Sequence, residues 1–173
     1  MDHIGLAPGE SGTDWDERIR VLVPRVYRYF CYRVGDGRMA EDLTGDTFER
    51  AWRSRDRYRT DRGDWGQWVL GIARHVAADF FRRRKRTDET AVSSEGPLGR
   101  PTEDDCDRRS DFARIGTLVS RLAERDRELV ALKYGAELTN RSIAEMTGLT
   151  ESNVGTILHR IVSALRREWE EEP

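Results

Sequence analysis

Five consecutive cations, Arg82–Arg86, close a stretch whose apolar and polar residues are sorted at helical spacing. Cations suit a helix C-terminus, where the dipole is negative, but five in a row exceed what capping needs and point to a polyanion lying along the helix end. Upstream, arginines at 55, 57, 59 and 62 surround Tyr58. Downstream, Ser152, Asn153, Thr156, His159 and Arg160 fall on one side of a helical pattern, with Glu151 and Gly155 beside them. Amide, hydroxyl, imidazole and guanidinium groups are the reagents that hydrogen-bond base edges and phosphates. Glu41, Asp42 and Asp46 spread around a single helix, whereas a metal-dependent site needs convergent carboxylates. Asp104 and Asp105 sit in a Gly/Pro-rich segment that cannot preorganise chemistry. The pattern therefore reads as a nucleic-acid-binding protein with no catalytic residue, no cofactor and no metal.

These residues are carried by a chain that reads as all-α. Asp14 reads as an N-cap, followed by Trp15, Ile19, Leu22, Val26, Tyr29, Phe30 and Arg33 at three-to-four spacing. Pro24 removes one backbone donor and predicts a kink or a fresh start. Gly35-Asp36-Gly37 ends this run. A second helix is predicted over about Arg38–Ser54, then a loop over Arg55–Asp64, then a helix over Trp65–Arg86 with Trp65, Trp68, Val69, Ile72, Val76, Ala77 and Phe80 on one face. Residues 87–110 lose periodicity, gather Pro97, Pro101 and an acidic cluster, and read as a flexible interdomain linker. Helical pattern returns at Phe112, Ile115, Val119 and Leu122. It continues over about Glu124–Tyr134, where Gly135 is expected to stop it.

The last segment holds the sharpest local signal. A short helix with Ile143, Ala144 and Met146 is followed by Gly148, and Thr150 caps a second helix with Val154, Ile157, Leu158 and Ile161. A helix-turn-helix needs a small residue at the crossing, a cheap left-handed turn and apolar anchors on the second helix; Ala144, Gly148, and Val154 with Ile157 supply them in order.

Bulk properties agree with two modest modules. The chain has 173 residues, 37% apolar and 36% charged, so its core must be economical. Net charge is -2, yet residues 14–86 carry +6 while residues 87–110 carry -4. A basic module can thus meet nucleic acid inside an acidic protein. Two cysteines, Cys31 and Cys106, form neither a disulfide framework nor a metal set and fit a reducing cytoplasm. No apolar run reaches membrane-spanning length and no signal pattern opens the chain, so a cytoplasmic protein without membrane insertion is expected. The domains read as a disordered tail (1–13), a helical module (14–86), the linker (87–110) and a helix-turn-helix module (111–173), the two modules forming separate, loosely tethered clusters.

PRVYRYFCYRVGD at 24–36, AEDLTGDTFERAWRS at 40–54 and WGQWVLGIARHVAADFFRRRKR at 65–86 resemble region 2 of the sigma-70 family, and residues 122–168 resemble region 4. Together, in this order and separation, they resemble an extracytoplasmic-function (ECF) sigma factor. The resemblance implies a subunit that directs core RNA polymerase to promoters by recognising −10 and −35 elements and assisting DNA melting. It implies docking on the β′ clamp helices through Asp42, Asp46, Glu49, Arg50 and Arg53, and on the β flap through an apolar outer surface around Leu129, Leu132 and Tyr134. Tyr58, Arg59, Trp65, Arg74, His75, Arg82 and Arg83 would meet the −10 region. An unstacked base wants an aromatic surface, and its phosphate wants a guanidinium. Trp68 would be core. Arg141, Ser152, Asn153, Thr156, His159 and Arg160 would meet the −35 element. Such proteins are usually held by an anti-sigma factor, and a monomer is expected when free. The chain departs from the family in having a Gly-rich tail in place of a short first helix, His75 where Asn is common, and Gly155 and Ile157 where basic residues are common.

Two other readings compete. A standalone helix-turn-helix regulator would use residues 14–86 for dimerisation or effector binding, but a dimer interface gains nothing from Arg82–Arg86. A nuclease built on Glu41, Asp42 and Asp46 lacks convergence.

Overall fold

The computed structural model describes residues 12–59, 64–90 and 114–171, and every regular element among them is helical. Helix α1 spans Gly12–Val34, α2 Gly37–Arg53 and α3 Trp65–Thr90, with a 3₁₀ turn at Arg55–Arg57. Residues 114–120 form α4. Then come α5 (Glu124–Val130), a π-helical turn (Ala131–Gly135), α6 (Asn140–Thr147) and α7 (Glu151–Glu171). No helix among the described residues is long and apolar enough to cross a membrane.

Several boundaries differ from the sequence reading for local reasons. Helix α1 starts at Gly12, inside the segment read as tail, so Asp14 lies within the first turn instead of capping it. Pro24 sits inside α1 without ending it. Arg20, whose carbonyl loses its donor, is exposed, as is Pro24, so water can satisfy the freed acceptor. Asp36 accepts from the Met39 amide at 2.8 Å and caps α2, while Gly35 takes φ 70, which only glycine adopts cheaply. Helix α3 runs on to Thr90, four residues into the segment read as linker. The rest of that segment, with Pro97, Pro101, Asp104, Asp105 and Cys106, lies outside the described residues, as do residues 1–11 and Arg62.

The largest difference concerns the core. The two modules were expected to stand apart. They instead share one buried cluster, running from Val26, Tyr29, Phe30, Val69 and Ala73 to Leu129, Leu132, Leu138, Ile143 and Val154. Val119, Val130 and Ile161 form a smaller cluster, against which Tyr32 of α1 packs together with Leu122, Ile157 and Leu165. The cause lies in α1. Its apolar stripe is widened by Tyr29, wholly buried, and by Arg33, 3% exposed, so the helix has a face for each module.

Candidate nucleic-acid and polymerase interfaces

The helix-turn-helix forms as its residue types require. The Thr139 hydroxyl accepts from the Ser142 amide at 3.1 Å and opens α6. Gly148 closes it at φ 74, returning its amide to the Ala144 carbonyl at 2.9 Å. Thr150 accepts from the Asn153 amide at 3.2 Å and starts α7. Val154, Leu158 and Ile161 are buried on the inner side of α7, with Ile157 partly buried beside them. On the outer side Ser152, Asn153, Thr156, His159 and Arg160 are all exposed. Arg160 leans toward Asp126 at 3.4 Å, and the Thr156 hydroxyl donates to the Ser152 carbonyl at 3.0 Å. Arg141 is exposed on α6 and pairs with Glu145 at 3.2 Å. Gly155 is half-buried, so it is less open than the sequence reading implied. A Cβ there would touch the Asn140 amide at 3.4 Å.

In the first module the loop aromatics pack on one another. Trp65 is 8% exposed, with ring centroids 4.5 Å from Trp15, 5.2 Å from Tyr58 and 4.9 Å from Trp68. Its Nε1 is buried without a partner. The pattern Trp65, Trp68, Val69, Ile72 puts Trp65 on the core stripe of α3, which is why it is not an open stacking surface. Tyr58 and Trp68 are half-buried at the rim of this cluster, so Trp68 is less enclosed than a core residue. Arg59 is exposed beside Tyr58. Trp52 is one of the apolar residues of the second helix. It is 50% exposed, touches Trp15 by its edge and carries the Arg55 guanidinium 4.3 Å above its ring. The signal was available: Trp52 directly follows the buried Ala51 and precedes a run of arginines.

Along α3, His75 is exposed, and so are Arg82 through Arg86. Asp79, Arg82, Arg83, Lys85 and Arg86 line an open depression of about 560 Å³. Asp79 binds Arg50 of α2 at 2.9 Å and also Arg82. Those two guanidiniums, Arg50 first, hold its carboxyl below the usual carboxylate range. Arg74 does not face outward freely. Its Nε donates to Glu128 on α5 at 2.7 Å and its Nη1 donates to the Met146 carbonyl at the end of α6.

The two surfaces read as polymerase-facing fare differently. On α2, Asp42, Asp46, Glu49 and Arg53 are exposed, Arg53 pairing with Glu49 at 2.6 Å, while Arg50 is drawn inward by Asp79. The surface around Leu129, Leu132 and Tyr134 is not an outer apolar face. Leu129 and Leu132 are 1% and 0% exposed, packed into the shared core, and only Tyr134 stands out at 45%. Burying two leucines contributes about 1.5–3 kcal/mol each, which explains why they are not left to solvent in the closed arrangement.

Among the described residues no three His, Cys, Asp or Glu side chains are grouped to hold a metal ion. Cys31 is a free, half-buried thiol pushed up by burial, and Tyr27 beside it is pushed up to about 12, chiefly by its hydrogen bond with Cys31.

A helical module followed by a helix-turn-helix module, in that order, defines a two-module DNA-binding class. Comparison with known proteins makes the class specific. The family profile for sigma-70 region 2 matches residues 19–87, and that for sigma-70 region 4 matches residues 112–165. The ECF sigma factor SigC of Mycobacterium tuberculosis is 31% identical over 159 residues, covering 89% of this chain and 80% of SigC. RpoE of Cereibacter sphaeroides is 28% identical over 172 residues, covering 90% of this chain and 93% of RpoE. BldN of Streptomyces coelicolor is 34% identical over 145 residues, and the match covers 82% of this chain but only 55% of BldN. In fold, the chain is similar to the sigma factor RpoE solved with the anti-sigma factor NepR from Bartonella quintana. That match has a TM-score of 0.77 and 18% identity, covering 93% of this chain and 99% of that one. It is also similar to CnrH solved with the cytosolic domain of CnrY, at a TM-score of 0.62 and 19% identity over 93% of this chain and 88% of CnrH. The chain belongs to the ECF sigma factors of the sigma-70 family.

Proposed function

We propose that this sigma factor brings core RNA polymerase to promoters by reading a −10 element with the first module and a −35 element with the second. The observation that carries this reading is the sorting of α7. Its apolar residues are buried and Ser152, Asn153, Thr156, His159 and Arg160 share the open side, where a major groove can take them. The exposed cations Arg82–Arg86 at the end of α3 add a surface for phosphates. Near the −10 element the rim residues Tyr58 and Arg59 are the better candidates to hold an unstacked base, while Trp65 supports them from beneath. Arg74, His75, Arg82 and Arg83 follow along α3.

The second module is only weakly basic on its reading face, so phosphate contacts alone give it little affinity. That favours a large partner, core polymerase, that supplies the remaining binding energy. Asp42, Asp46, Glu49 and Arg53 on α2 form a solvent-facing edge suited to the β′ clamp helices, and Tyr134 marks the edge of the surface for the β flap. Arg50 acts there by way of Asp79. An anti-sigma partner is favoured by the likeness to the sigma factor RpoE of Bartonella quintana, which is held in a complex with the anti-sigma factor NepR. The protein acts in the cytoplasm, without catalysis of its own.

Reconstitution tests this directly. Core polymerase plus this chain should form a stoichiometric complex and start transcription at promoters selected from a genomic library, with protection over both elements. Tight, steeply salt-dependent binding of the isolated chain to duplex DNA, with no complex with polymerase, would favour a standalone regulator instead.

A further inference from the structure

Of the five tryptophans only Trp52 is exposed, with half of its surface open to solvent at the end of α2. It does not stand there loosely. Trp15 meets it edge-on at 5.4 Å between ring centroids, and the Arg55 guanidinium lies 4.3 Å above its ring. Arg55 is anchored in turn, donating from Nη1 to the Trp52 carbonyl at 2.9 Å. A guanidinium held against an indole presents a planar, charged surface that is already ordered. An unpaired base stacks on an aromatic or guanidinium plane, and its phosphate takes a cation, so the pair offers both.

The backbone fixes what lies next to this pair. Arg55–Arg57 is a 3₁₀ turn, and the Tyr58 amide closes it on the Arg55 carbonyl at 3.0 Å. Residues three apart eclipse in such a turn, so Arg55 and Tyr58 leave it on the same side. The aromatics are also continuous. Trp52 touches Trp15, Trp15 touches Trp65 at 4.5 Å, and Trp65 touches Tyr58 at 5.2 Å. Charge separates this corner from the acidic edge of α2. Arg55, Arg57 and Arg59 are exposed here against Asp56, whereas Asp42, Asp46 and Glu49 are exposed along α2. A polyanion is the occupant that this excess of cations favours.

We propose that Trp52 and Arg55 form a stacking platform for an unpaired base of the melted promoter strand, next to the base held at the Tyr58 rim. This platform rests on the promoter-directing reading and adds a site to it. Stacking tolerates every base, so the platform holds the strand open without selecting its sequence.

Core polymerase reconstituted with the full chain, and a forked promoter carrying 2-aminopurine at successive positions of its single-stranded nontemplate arm, test the platform. The fluorescence of 2-aminopurine falls when it stacks. The native chain should quench it at a position beside the one that responds to Tyr58→Ala. Trp52→Ala should lose that quenching and bind the fork about five-fold or more weakly, whatever base stands there. Arg55→Gln should weaken both several-fold, and Trp52→Phe should keep most of both. Affinity for core polymerase should not change. If Trp52→Ala loses its helical circular dichroism, Arg55→Gln carries the test. Quenching and fork affinity unchanged in both variants overturn the platform, as does the absence of quenching by every form. A loss of polymerase affinity, with fork binding by the assembled complex unchanged, also overturns it and makes Trp52 a protein contact. Titration of the full chain alone with a single-stranded oligonucleotide containing 2-aminopurine keeps the two readings apart. Quenching that Trp52→Ala abolishes, with no complex formed with core polymerase, overturns the promoter-directing reading and leaves the platform standing.

Discussion

Arg74 of α3 and Glu128 of α5 form an ion pair at 2.7 Å across the two modules, and the same guanidinium also holds the Met146 carbonyl. One side chain of the first module is therefore bonded to both α5 and α6 of the second. Bonded in this way at the seam between the modules, Arg74 is not open to the DNA contact proposed for it.

The pair should be measurable without polymerase. Both side chains are about a quarter exposed, 28% and 23%, so solvent screens them only in part. A double-mutant cycle with Arg74→Ala and Glu128→Ala, followed by urea unfolding, should give a coupling of about 0.5–1 kcal/mol. Zero coupling would mean that the seam is held by its apolar and backbone contacts alone.

Asp79 gives a pH signature within the first module. Arg50, then Arg82, hold its carboxyl low, so its folded pKa lies below the unfolded value. The pairing then stabilises fully above the unfolded value of about 3.9 and is lost as pH falls through the folded value. The stability difference between the native chain and Asp79→Asn should therefore be constant from neutral pH to about pH 5 and shrink below about pH 4. A carboxylate NMR titration of Asp79 with its midpoint at or above the usual range would contradict the assignment.

Trp65 behaves as core. It is 8% exposed and touches Trp15, Tyr58 and Trp68, so Trp65→Ala should cost about 3–5 kcal/mol by denaturant unfolding, with Trp65→Phe costing clearly less. Any loss of promoter opening by the alanine variant would then report folding. Tyr58→Ala, at the rim, should instead impair opening while leaving complex formation with polymerase intact, in a permanganate footprint of the melted region.

The elements were legible because their signals are local. Apolar spacing marked the helices, Thr150 marked a start, and Gly148 marked the turn, whereas the caps at Asp36 and Thr139 emerge only in the structure. The seam was not legible, because its signals need two distant segments at once. Gly135 reads as a helix stop in sequence, yet its φ is not positive, and its real constraint is the closeness of the Tyr29 backbone. Leu129 and Leu132 read as a surface only if no second module is near. Arg25, Arg28 and Arg33 look like solvated cations until the carbonyls of Ala136, Gly135 and Glu124 are placed beside them. The candidate site was half legible for the same reason: exposure on α7 follows from its own periodicity, whereas the fate of Trp65 and Arg74 depends on what packs against α3.

Gly148 isolates backbone strain from packing. Its φ is 74, and nothing lies within 4 Å of where a Cβ would stand. Gly148→Ala should thus cost about 1–2 kcal/mol, the left-handed penalty alone, and Gly148→Asn should recover part of it. Thermal unfolding of the three forms checks this. A larger alanine penalty would require a contact that the open space around Gly148 does not contain.

Asn153 and Arg141 separate base reading from phosphate holding. Asn153 is exposed near the start of α7, and its backbone amide already serves the Thr150 cap, so truncating the side chain leaves the helix start in place. If its amide group contacts a base, Asn153→Ala should cost about 1–3 kcal/mol on the cognate −35 sequence and little on sequences altered at the contacted position. Arg141, exposed on α6 and paired with Glu145 at 3.2 Å, is the proposed phosphate contact. Arg141→Ala should weaken all promoters alike and reduce the salt dependence by about one counterion. Competition binding of the reconstituted holoenzyme to a library randomised over the −35 element reads both effects together. A uniform loss from Asn153→Ala, or a sequence-dependent one from Arg141→Ala, would exchange the two roles.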